Sequence, residues 1–379
     1  MDHQLERRIQ ARLSRLEDDG LARRLAPPQG IDLSSNDYLG LATHPRLKRR
    51  FAESVEKLGV GSTGSRLLRG HRDAFRAVEQ RVAKFKGTAS ALYFSTGWAA
   101  NLGILSAFLD EGDVVFSDTL NHASIIDGIR LSKARCVVFH HADAAALERS
   151  LIHEPCEGRR FVVTESLFGM DGDRAPLCDY AQLQEKCDFS LIVDEAHAVG
   201  IYGENGSGLI EEVGCADNAF VSVNTAGKAL GVAGAFVCGP AWATDYLVQA
   251  ARPFVFSTAP PPAVAEAIDE ALDVISEEPQ LRQRVRQLAL DLRKQLDLPA
   301  DDSPILPIVL GENKIAVEVA THLQNQGFDV RAIRPPTVPV GTARLRISLN
   351  ANLSSDDINR FAAVLTEKLS QLVPCAASS

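Results

Sequence analysis

Between about residue 45 and residue 255, short apolar runs alternate with stretches of helical periodicity, and this alternation is the strongest constraint on the fold. The runs are rich in β-branched and other apolar residues, which is typical of strands that are buried on both faces. The predicted strands are Ala91–Phe94, Val114–Ser117, Cys136–Phe139, Phe161–Thr164, Leu191–Asp194, Phe220–Val223 and Ala235–Cys238. The sequence therefore predicts an α/β fold with a mainly parallel sheet that is covered by helices on both faces. Ligands of such sheets bind beyond the carboxyl ends of the strands, so the residues that follow each run are candidate site residues.

The N-terminal segment predicts a helix followed by an arm. Leu5, Ile9, Leu13 and Leu16 recur at helical spacing among charged residues, which indicates an amphipathic helix. A loop that contains two prolines then leads to the segment IDLSSNDYLG, which begins at Ile31.

The segment after Pro260 changes character. A long helical stretch from Ala263 to Leu296 precedes strand-like runs at Ile305–Leu310 and Leu345–Leu349, with a helix near Ile315–Gln326 between them. This pattern is typical of a smaller α+β domain. We therefore predict an N-terminal helix and arm over residues 1–44, a large domain over residues 45–260 and a small C-terminal domain over residues 261–379.

Charge and targeting signals narrow the class of protein. The chain of 379 residues has 49 acidic and 40 basic residues and a formal net charge of −9, which argues against nucleic acid as its main partner. The N-terminus lacks the apolar core of a secretory signal, and no apolar run approaches the roughly 20 residues that span a bilayer. We expect a cytoplasmic protein with no membrane contact.

The cysteines are scattered and have no CxxC or zinc-like spacing, so we expect free thiols and no metal site. They are Cys136, Cys156, Cys178, Cys187, Cys215, Cys238 and Cys375.

Gly59, Gly61 and Gly64 match the spacing GxGxxG of dinucleotide-binding loops. The match follows a helical stretch instead of a strand, so no helix N-terminus is expected beside a bound pyrophosphate. A glycine-rich loop is the better interpretation.

Three strand ends carry residues that together favour pyridoxal phosphate. Such a site needs an amine, a carboxylate for the pyridine nitrogen and an anion cradle. Lys228 lies in a loop of small apolar residues, where desolvation would lower the pKa of its amine. Asp194 ends a strand, while Gly97 and Trp98 begin a helix and offer N–H groups to a phosphate. The hydroxyl of Thr225 is a second candidate for the phosphate.

Two histidines complete this hypothesis. His122 follows the strand that ends near Ser117, where its ring could stack on the cofactor, and His197 lies three residues after Asp194. The alternative for His122 is a structural histidine that is satisfied by its neighbours. We predict that His140 and His141 are surface residues.

With these residues, the chain resembles the α-oxoamine synthases, which are fold-type I pyridoxal phosphate enzymes with the aspartate aminotransferase-like fold. The matching segments appear in family order and are SSNDYLGL from Ser34, GSTGSRLLRG from Gly61, STGWAAN from Ser95, NHAS from Asn121, FGMDGD from Phe168, DEAHAVGIYGENGSG from Asp194, TAGKALG from Thr225 and IRPPTVPVGTARLRISLNA from Ile333.

The resemblance implies roles for the residues found above. Lys228 would carry the cofactor as a Schiff base, Asp194 would contact the pyridine nitrogen and His122 would stack on the ring. It further implies cofactor contacts by His197, Thr225, Gly97 and Trp98. The family forms homodimers with the active site at the interface, so Ser257 and Thr258 are expected to reach the phosphate of the partner subunit.

The segment RPPTVP from Arg334 most resembles members that join L-alanine to a pimeloyl thioester in biotin biosynthesis, with release of carbon dioxide and the thiol carrier. This acyltransferase reaction would use Arg346 for the alanine carboxylate, because a guanidinium binds a carboxylate bidentately. Asn36 and Thr337 are further expected substrate contacts, and Arg23 is the candidate for the acyl substrate, although it is equally compatible with a surface position. The carrier can be coenzyme A or acyl carrier protein, and Arg66, Arg69, Arg72 and Arg76 could form a basic patch for the latter.

Three alternatives stay open at this point. They are a sister synthase that uses glycine or serine with another acyl thioester, an ordinary aminotransferase, and a non-catalytic subunit of the same fold. The chain also departs from many relatives in having Gly169 where they have serine, which removes one hydroxyl contact to the cofactor.

Overall fold

The computed structural model describes residues 3–372 of the chain. These residues belong to two compact units. Within the described residues, the smaller unit comprises 3–35, 170–172 and 285–372, and the larger unit comprises Asn36–Gly169 and Asp173–Arg284. Residues 3–35, which were predicted as part of a separate N-terminal segment, therefore cluster with C-terminal residues. The predicted boundaries at residues 44 and 260 stay a prediction.

The strands are β1 (Ile31–Asp32), β2 (Ser90–Phe94), β3 (Val114–Asp118), β4 (Arg135–Phe139), β5 (Arg160–Glu165), β6 (Ser190–Asp194), β7 (Ala219–Thr225), β8 (Ala235–Gly239), β9 (Ile305–Gly311), β10 (Phe328–Asp329), β11 (Ala332–Ile333) and β12 (Ala343–Ser348). The α-helices are α1 (His3–Asp18), α2 (Pro45–Leu58), α3 (Asp73–Lys86), α4 (Gly97–Phe108), α5 (Ala123–Leu131), α6 (Ala144–His153), α7 (Leu177–Gln184), α8 (Leu209–Glu212), α9 (Ala241–Ala250), α10 (Arg252–Val255), α11 (Pro262–Glu277), α12 (Gln280–Gln295), α13 (Asn313–Asn325) and α14 (Ser355–Leu372). Shorter helical turns lie at Leu41–Thr43, Arg66–Gly70 and Ala216–Asn218.

The larger unit contains a seven-stranded sheet with the order β2-β8-β7-β6-β5-β3-β4. Neighbouring strands are parallel except at β8, which is antiparallel to both β2 and β7. All seven strands predicted from the apolar runs are present, with ends that differ by no more than two residues. The prediction of a mainly parallel sheet is therefore confirmed.

The core of this unit explains why the apolar runs fold as strands. Val115, Ile192 and Val223 project from three strands and are at most 2% exposed, and Ile104 of α4 packs in the same cluster. Residues that are apolar on both faces of a strand are buried when helices cover both sides of the sheet. The side chain of Thr96 accepts a hydrogen bond from the N–H of Ala99, which caps the N-terminus of α4.

The smaller unit contains an antiparallel sheet with the order β11-β12-β9 and a parallel pair formed by β1 and β10. The predicted α+β character of the C-terminal segment agrees with this sheet and with α13 and α14. The predicted N-terminal helix is α1, and its four apolar side chains are each 40–49% exposed.

The predicted single helical stretch from Ala263 to Leu296 is wrong. It forms two helices, because α11 ends at Glu277 and α12 begins at Gln280. Pro279 lies between them, and a proline disfavours the helical conformation of the residue that precedes it. Glu278 accordingly has φ −119° and ψ 56°.

Six cysteines within residues 3–372 are free thiols, and Cys375 lies outside the described residues. Within the same residues, no helix has both the length and the apolar character needed to cross a membrane.

Candidate active site

A cavity of about 360 Å³ opens at the carboxyl ends of the parallel strands in the larger unit. Six residues predicted from the sequence line this cavity, namely Gly97, Trp98, His122, Asp194, Thr225 and Lys228. They come from the start of α4, the residue before α5, the ends of β6 and β7 and the loop after β7. The sheet therefore brings together residues that are far apart in the chain, at the edge where α/β folds bind ligands.

Two donors fix the carboxylate of Asp194. The backbone N–H of Ala196 donates to Oδ1 at 2.8 Å, and the side-chain amide of Asn101 donates to Oδ2 at 2.8 Å. Asp194 is only 6% exposed, and a buried carboxylate needs such donors to stay favourable. This arrangement presents a fixed negative charge to the cavity.

The same Asn101 connects Asp194 with His122. Its amide nitrogen also donates to Oγ of Ser124 at 3.0 Å, and that hydroxyl lies 2.7 Å from Nδ1 of His122. Nδ1 also accepts the N–H of Ser124, so in the neutral ring the proton lies on Nε2. Burial lowers the pKa of His122, and the positive charge of Lys228 lowers it further, while Asp194 acts in the opposite direction. The ring of Trp98 meets the His122 ring edge to face, with 5.9 Å between the centroids.

Lys228 is hydrogen-bonded to the second predicted histidine. Its Nζ lies 2.6 Å from Nε2 of His197, whose Nδ1 lies 2.7 Å from the hydroxyl of Tyr38. Tyr38 and His197 are 0% and 5% exposed. The amine is therefore held by a buried side chain at the wall of the cavity.

The start of α4 lines the cavity and could bind an anion. The first N–H groups of a helix have no partner within the helix and carry a partial positive charge. At Gly97 a Cβ atom would lie 2.7 Å from Cγ2 of Thr225, so only glycine fits this close approach. The hydroxyl of Thr225 donates to the backbone oxygen of Ala196 at 3.1 Å.

Sequence reasoning missed Tyr38, Asn101, Ser124 and Glu165. Asn101 lies one helical turn after Gly97, and Ser124 lies two residues after His122, so spacing alone could have indicated both. Glu165 ends β5 beside the strand that ends in Asp194 and lines the cavity. Burial raises the pKa of Glu165 to about 8, with a further contribution from the charge of Asp194.

Ser257, Thr258 and Asn36 have contacts of their own in the larger unit. Thr258 forms an isolated bridge with Ser65, and neither Ser257 nor Thr258 is among the residues that line the cavity. Asn36 accepts a hydrogen bond from the Tyr38 hydroxyl at 3.2 Å. The expected role of Ser257 and Thr258 at the partner subunit stays a prediction.

The other predicted substrate residues belong to the smaller unit. Arg23 donates to the hydroxyl of Thr337 at 3.4 Å, and Arg346, which is 6% exposed, donates to Oγ of Ser348 at 2.6 Å. The structure thus pairs the two residues that were predicted separately near the substrate, Arg23 and Thr337.

The prediction that His141 is a surface residue is wrong. Its two ring nitrogens bind Asp118 at 2.9 Å and Asp173 at 2.6 Å, and its ring packs against Phe168. Burial opposes the charged ring, but the hydrogen bonds to both carboxylates raise the pKa of His141 to about 10. His140, by contrast, is exposed as predicted.

Arg66 is one of the four arginines that were considered for a basic patch, but it is not available to a partner protein. Arg66 forms two hydrogen bonds with the carboxylate of Glu79, at 2.7 and 3.0 Å, and its guanidinium lies 4.8 Å from the ring centroid of Phe75. Its side chain is only 9% exposed, so it is part of the packing and does not face solvent.

The donors around the cavity fit pyridoxal phosphate. The cavity is lined by the amine of Lys228, by the fixed carboxylate of Asp194 and by the helix N-terminus at Gly97, where Thr225 packs closely against the backbone. These are the groups needed by the aldehyde, the pyridine nitrogen and the phosphate of that cofactor.

Comparisons with known proteins agree with this assignment. The family model described as aminotransferase class I and II matches residues 28–365. The chain is 46% identical over 350 residues to the 8-amino-7-oxononanoate synthase of Methylococcus capsulatus, which covers 90% of this chain and 89% of that protein.

Solved structures give the same result. A serine palmitoyltransferase from S. paucimobilis, with a bound adduct of PLP and myriocin, superposes with a TM-score of 0.90 at 29% identity, over 96% of this chain and 97% of the other. The 8-amino-7-oxononanoate synthase of Francisella tularensis superposes with a TM-score of 0.78 at 31% identity, over 90% and 98%. The chain therefore belongs to the class I and II aminotransferase family, as a pyridoxal phosphate enzyme of the α-oxoamine synthase group with the fold-type I architecture.

Proposed function

We propose that this enzyme condenses L-alanine with a pimeloyl thioester to form 8-amino-7-oxononanoate, carbon dioxide and the free thiol carrier, as a step of biotin biosynthesis. The observation that carries the proposal is the placement of Lys228 and Asp194 on one cavity beside the start of α4. The names of the curated relatives support the choice of reaction.

Pyridoxal phosphate, when bound, supplies a positively charged ring that withdraws electrons from the α-carbon of an amino acid. Asp194 keeps the proton on the ring nitrogen, because its carboxylate is held by Asn101 and Ala196 and cannot turn away. His122, which is oriented by Ser124, would pack against the ring of the cofactor. The N–H groups at the start of α4 would bind its phosphate.

Lys228 acts as the general base that removes the α-proton of alanine. A carbon–carbon bond then forms between the alanine α-carbon and the thioester carbonyl carbon, and the carbon–sulfur bond breaks to release the thiol. The α-proton held on Lys228 can pass to the thiolate. The bond between the α-carbon and the carboxylate that came from alanine then breaks, carbon dioxide leaves, and the electron pair that remains on the α-carbon takes up a proton from solvent. His197 lies 2.6 Å from the Lys228 amine and can hold it in place while it carries the proton.

Four residues are proposed substrate contacts. Arg346 binds the alanine carboxylate through its guanidinium, and its hydrogen bond with Ser348 limits its freedom. Arg23 and Thr337 meet the acyl substrate. Asn36, which holds the hydroxyl of Tyr38, is a further proposed substrate contact.

The enzyme acts as a cytoplasmic homodimer in this proposal, with Ser257 and Thr258 directed to the partner subunit's cofactor phosphate. Coenzyme A and acyl carrier protein are both suitable carriers of the acyl group. Because Arg66 is paired with Glu79, an acidic carrier protein would have to use Arg69, Arg72 and Arg76.

A sister reaction with serine is the second candidate. It is favoured by the TM-score of 0.90 with serine palmitoyltransferase, which exceeds the value of 0.78 with the Francisella enzyme. The identity of 46% with a curated 8-amino-7-oxononanoate synthase favours alanine.

A thiol-release assay with pimeloyl-CoA separates these candidates. L-alanine, glycine and L-serine are tested one at a time on the wild type and on Lys228→Ala. We expect release with alanine by the wild type and none by the variant. Release that prefers serine or glycine would reject the alanine reaction, and a preference for palmitoyl-CoA with serine would favour the sister reaction. If no amino acid releases thiol from pimeloyl-CoA, the assay is repeated with pimeloyl-acyl carrier protein, and a second failure refutes the proposal.

A further inference from the structure

A hydrogen-bonded line of side chains ends at the reactive amine, and its two central members, Tyr38 and His197, are buried. The hydroxyl of Tyr38 lies 3.2 Å from Oδ1 of Asn36 and 2.7 Å from Nδ1 of His197, and Nε2 of His197 lies 2.6 Å from Nζ of Lys228. Tyr38 is completely buried, and it is 159 residues away from His197 in the chain.

One assignment of protons satisfies both contacts of the Tyr38 hydroxyl. Oδ1 of Asn36 can only accept, so the single proton of the Tyr38 hydroxyl goes to it. The hydroxyl oxygen must then accept from His197, which places the imidazole proton on Nδ1. Nε2 is left as an acceptor. It faces the amine of Lys228, which has donor hydrogens and no acceptor lone pair when it is protonated.

The backbone at Gly169 allows the ring to take this position. A Cβ atom at residue 169 would lie 2.4 Å from Nε2 of His197 and 2.9 Å from its Cδ2. Residue 169 is buried, so a larger side chain there could not turn into solvent and would displace the imidazole.

We propose that Tyr38 is a positioning residue, which holds the His197 proton on Nδ1 and so presents Nε2 to Lys228 as a hydrogen-bond acceptor. This inference rests on the proposed role of Lys228 as the reactive amine. An acceptor at Nε2 stabilises the protonated amine more than the neutral amine, because hydrogen bonds to charged donors are stronger. The line therefore keeps a proton on Lys228 after the amine has taken it from a substrate.

Other charged groups face the same amine and have to stay constant in a test. They are Asp194 at the end of β6, Glu165 at the end of β5 and His122 before α5; the latter two interact electrostatically with Lys228. A change of Tyr38 to phenylalanine removes one oxygen atom and leaves these three side chains untouched.

The experiment measures how fast the amine captures the cofactor at different pH values. Full-length protein is freed of cofactor with a carbonyl reagent and mixed with pyridoxal phosphate, and the rise of visible absorbance gives the rate. The proteins compared are the wild type, Tyr38→Phe and the matched control Tyr180→Phe. Tyr180 is equally buried, but its hydroxyl has no hydrogen-bond partner among the described residues. Ionisation of free pyridoxal phosphate is the same in every sample and cancels in the comparison.

In Tyr38→Phe the imidazole proton can move to Nε2 and donate to the neutral amine. We expect its capture profile to move to lower pH by about one unit, which makes capture roughly tenfold faster below the midpoint. The Tyr180→Phe profile should coincide with that of the wild type.

Gly169→Ala tests the same line from the other side, because its Cβ displaces the ring. We expect a shift in the same direction, and the double variant with Tyr38→Phe should shift no further than the larger single shift. A Tyr38→Phe profile that coincides with the wild type, or moves to higher pH, overturns the inference whatever Gly169→Ala does. The capture assay uses no substrate, so a wild type that captures cofactor but releases no thiol would refute the proposed function without affecting this comparison.

Discussion

Glu165 allows a direct test of the electrostatics of the cavity, because its carboxyl group is buried beside another carboxylate. Its pKa is raised from 4.5 to about 8, first by burial and second by the negative charge of Asp194. The folded protein therefore binds this proton more tightly than the unfolded chain. The stability that results is fully present below pH 4.5 and is lost as the pH rises toward 8. Between about pH 5 and about pH 8.5, the ionisation of this group lowers the free energy of unfolding by roughly 4 kcal/mol.

We expect Glu165→Gln to remove this loss, because an amide does not ionise in this range. The assay compares thermal unfolding midpoints of cofactor-free protein at the two pH values for the wild type, Glu165→Gln and the control Glu154→Gln. Glu154 is a partly exposed carboxylate that pairs with Arg135. At about 2–4 °C per kcal/mol for a domain of this size, the wild type should lose roughly 8–16 °C more than Glu165→Gln between the two pH values. Any packing effect of the amide cancels in this difference. An equal loss in both proteins would show that Glu165 is ionised in the folded state and would refute the reasoning.

Three further outcomes follow from contacts in the larger unit. Gly97→Ala should weaken the affinity for pyridoxal phosphate, because the new Cβ would lie 2.7 Å from the methyl group of Thr225. Adding Thr225→Ser removes that methyl group and should restore part of the affinity, which is measured as the dissociation constant of each variant. Lys86→Met should destabilise the protein by about 3–5 kcal/mol, because it leaves the fully buried carboxylate of Glu195 unpaired, and a second change of Glu195→Gln should recover much of the loss in thermal unfolding. His141→Gln should lower the unfolding midpoint most below pH 6.5 and progressively less as the pH rises toward about 10, because the stabilisation by the charged ring is lost over that range; a pH-independent difference would contradict this.

Local patterns were sufficient to predict much of the fold. The seven apolar runs became the seven strands of the large sheet, and six of them are mostly buried, as expected for segments that are apolar on both faces. The seventh, β4, lies at the edge of the sheet and is mostly exposed. The stretch after Ala263 was predicted less well, since the effect of Pro279 on Glu278 was overlooked and one helix was expected instead of two.

The reactive residues of the candidate site were predicted from the sequence, but the hydrogen bonds between them and their partners were not. Lys228, Asp194 and His122 were identified from their places after strands, and all three line the cavity. Tyr38 was missed, because nothing in its neighbourhood indicates that its hydroxyl meets a histidine. His141 was taken for a surface residue because its two carboxylate partners are 23 and 32 residues away in the chain.

The sequence by itself determined the strands of the large sheet and the reactive side chains of Lys228, Asp194 and His122, because these depend on periodicity and on neighbours along the chain. Only the tertiary structure decided which of those side chains meet. The order of the sheet places β6 between β5 and β7, and this order brings Glu165, Asp194 and Thr225 to one edge. Asn101 reaches Asp194 across 93 residues of chain. Hydrogen bonds of this kind act over about 3 Å in space, whatever the separation in sequence, so they become visible only when the chain is folded.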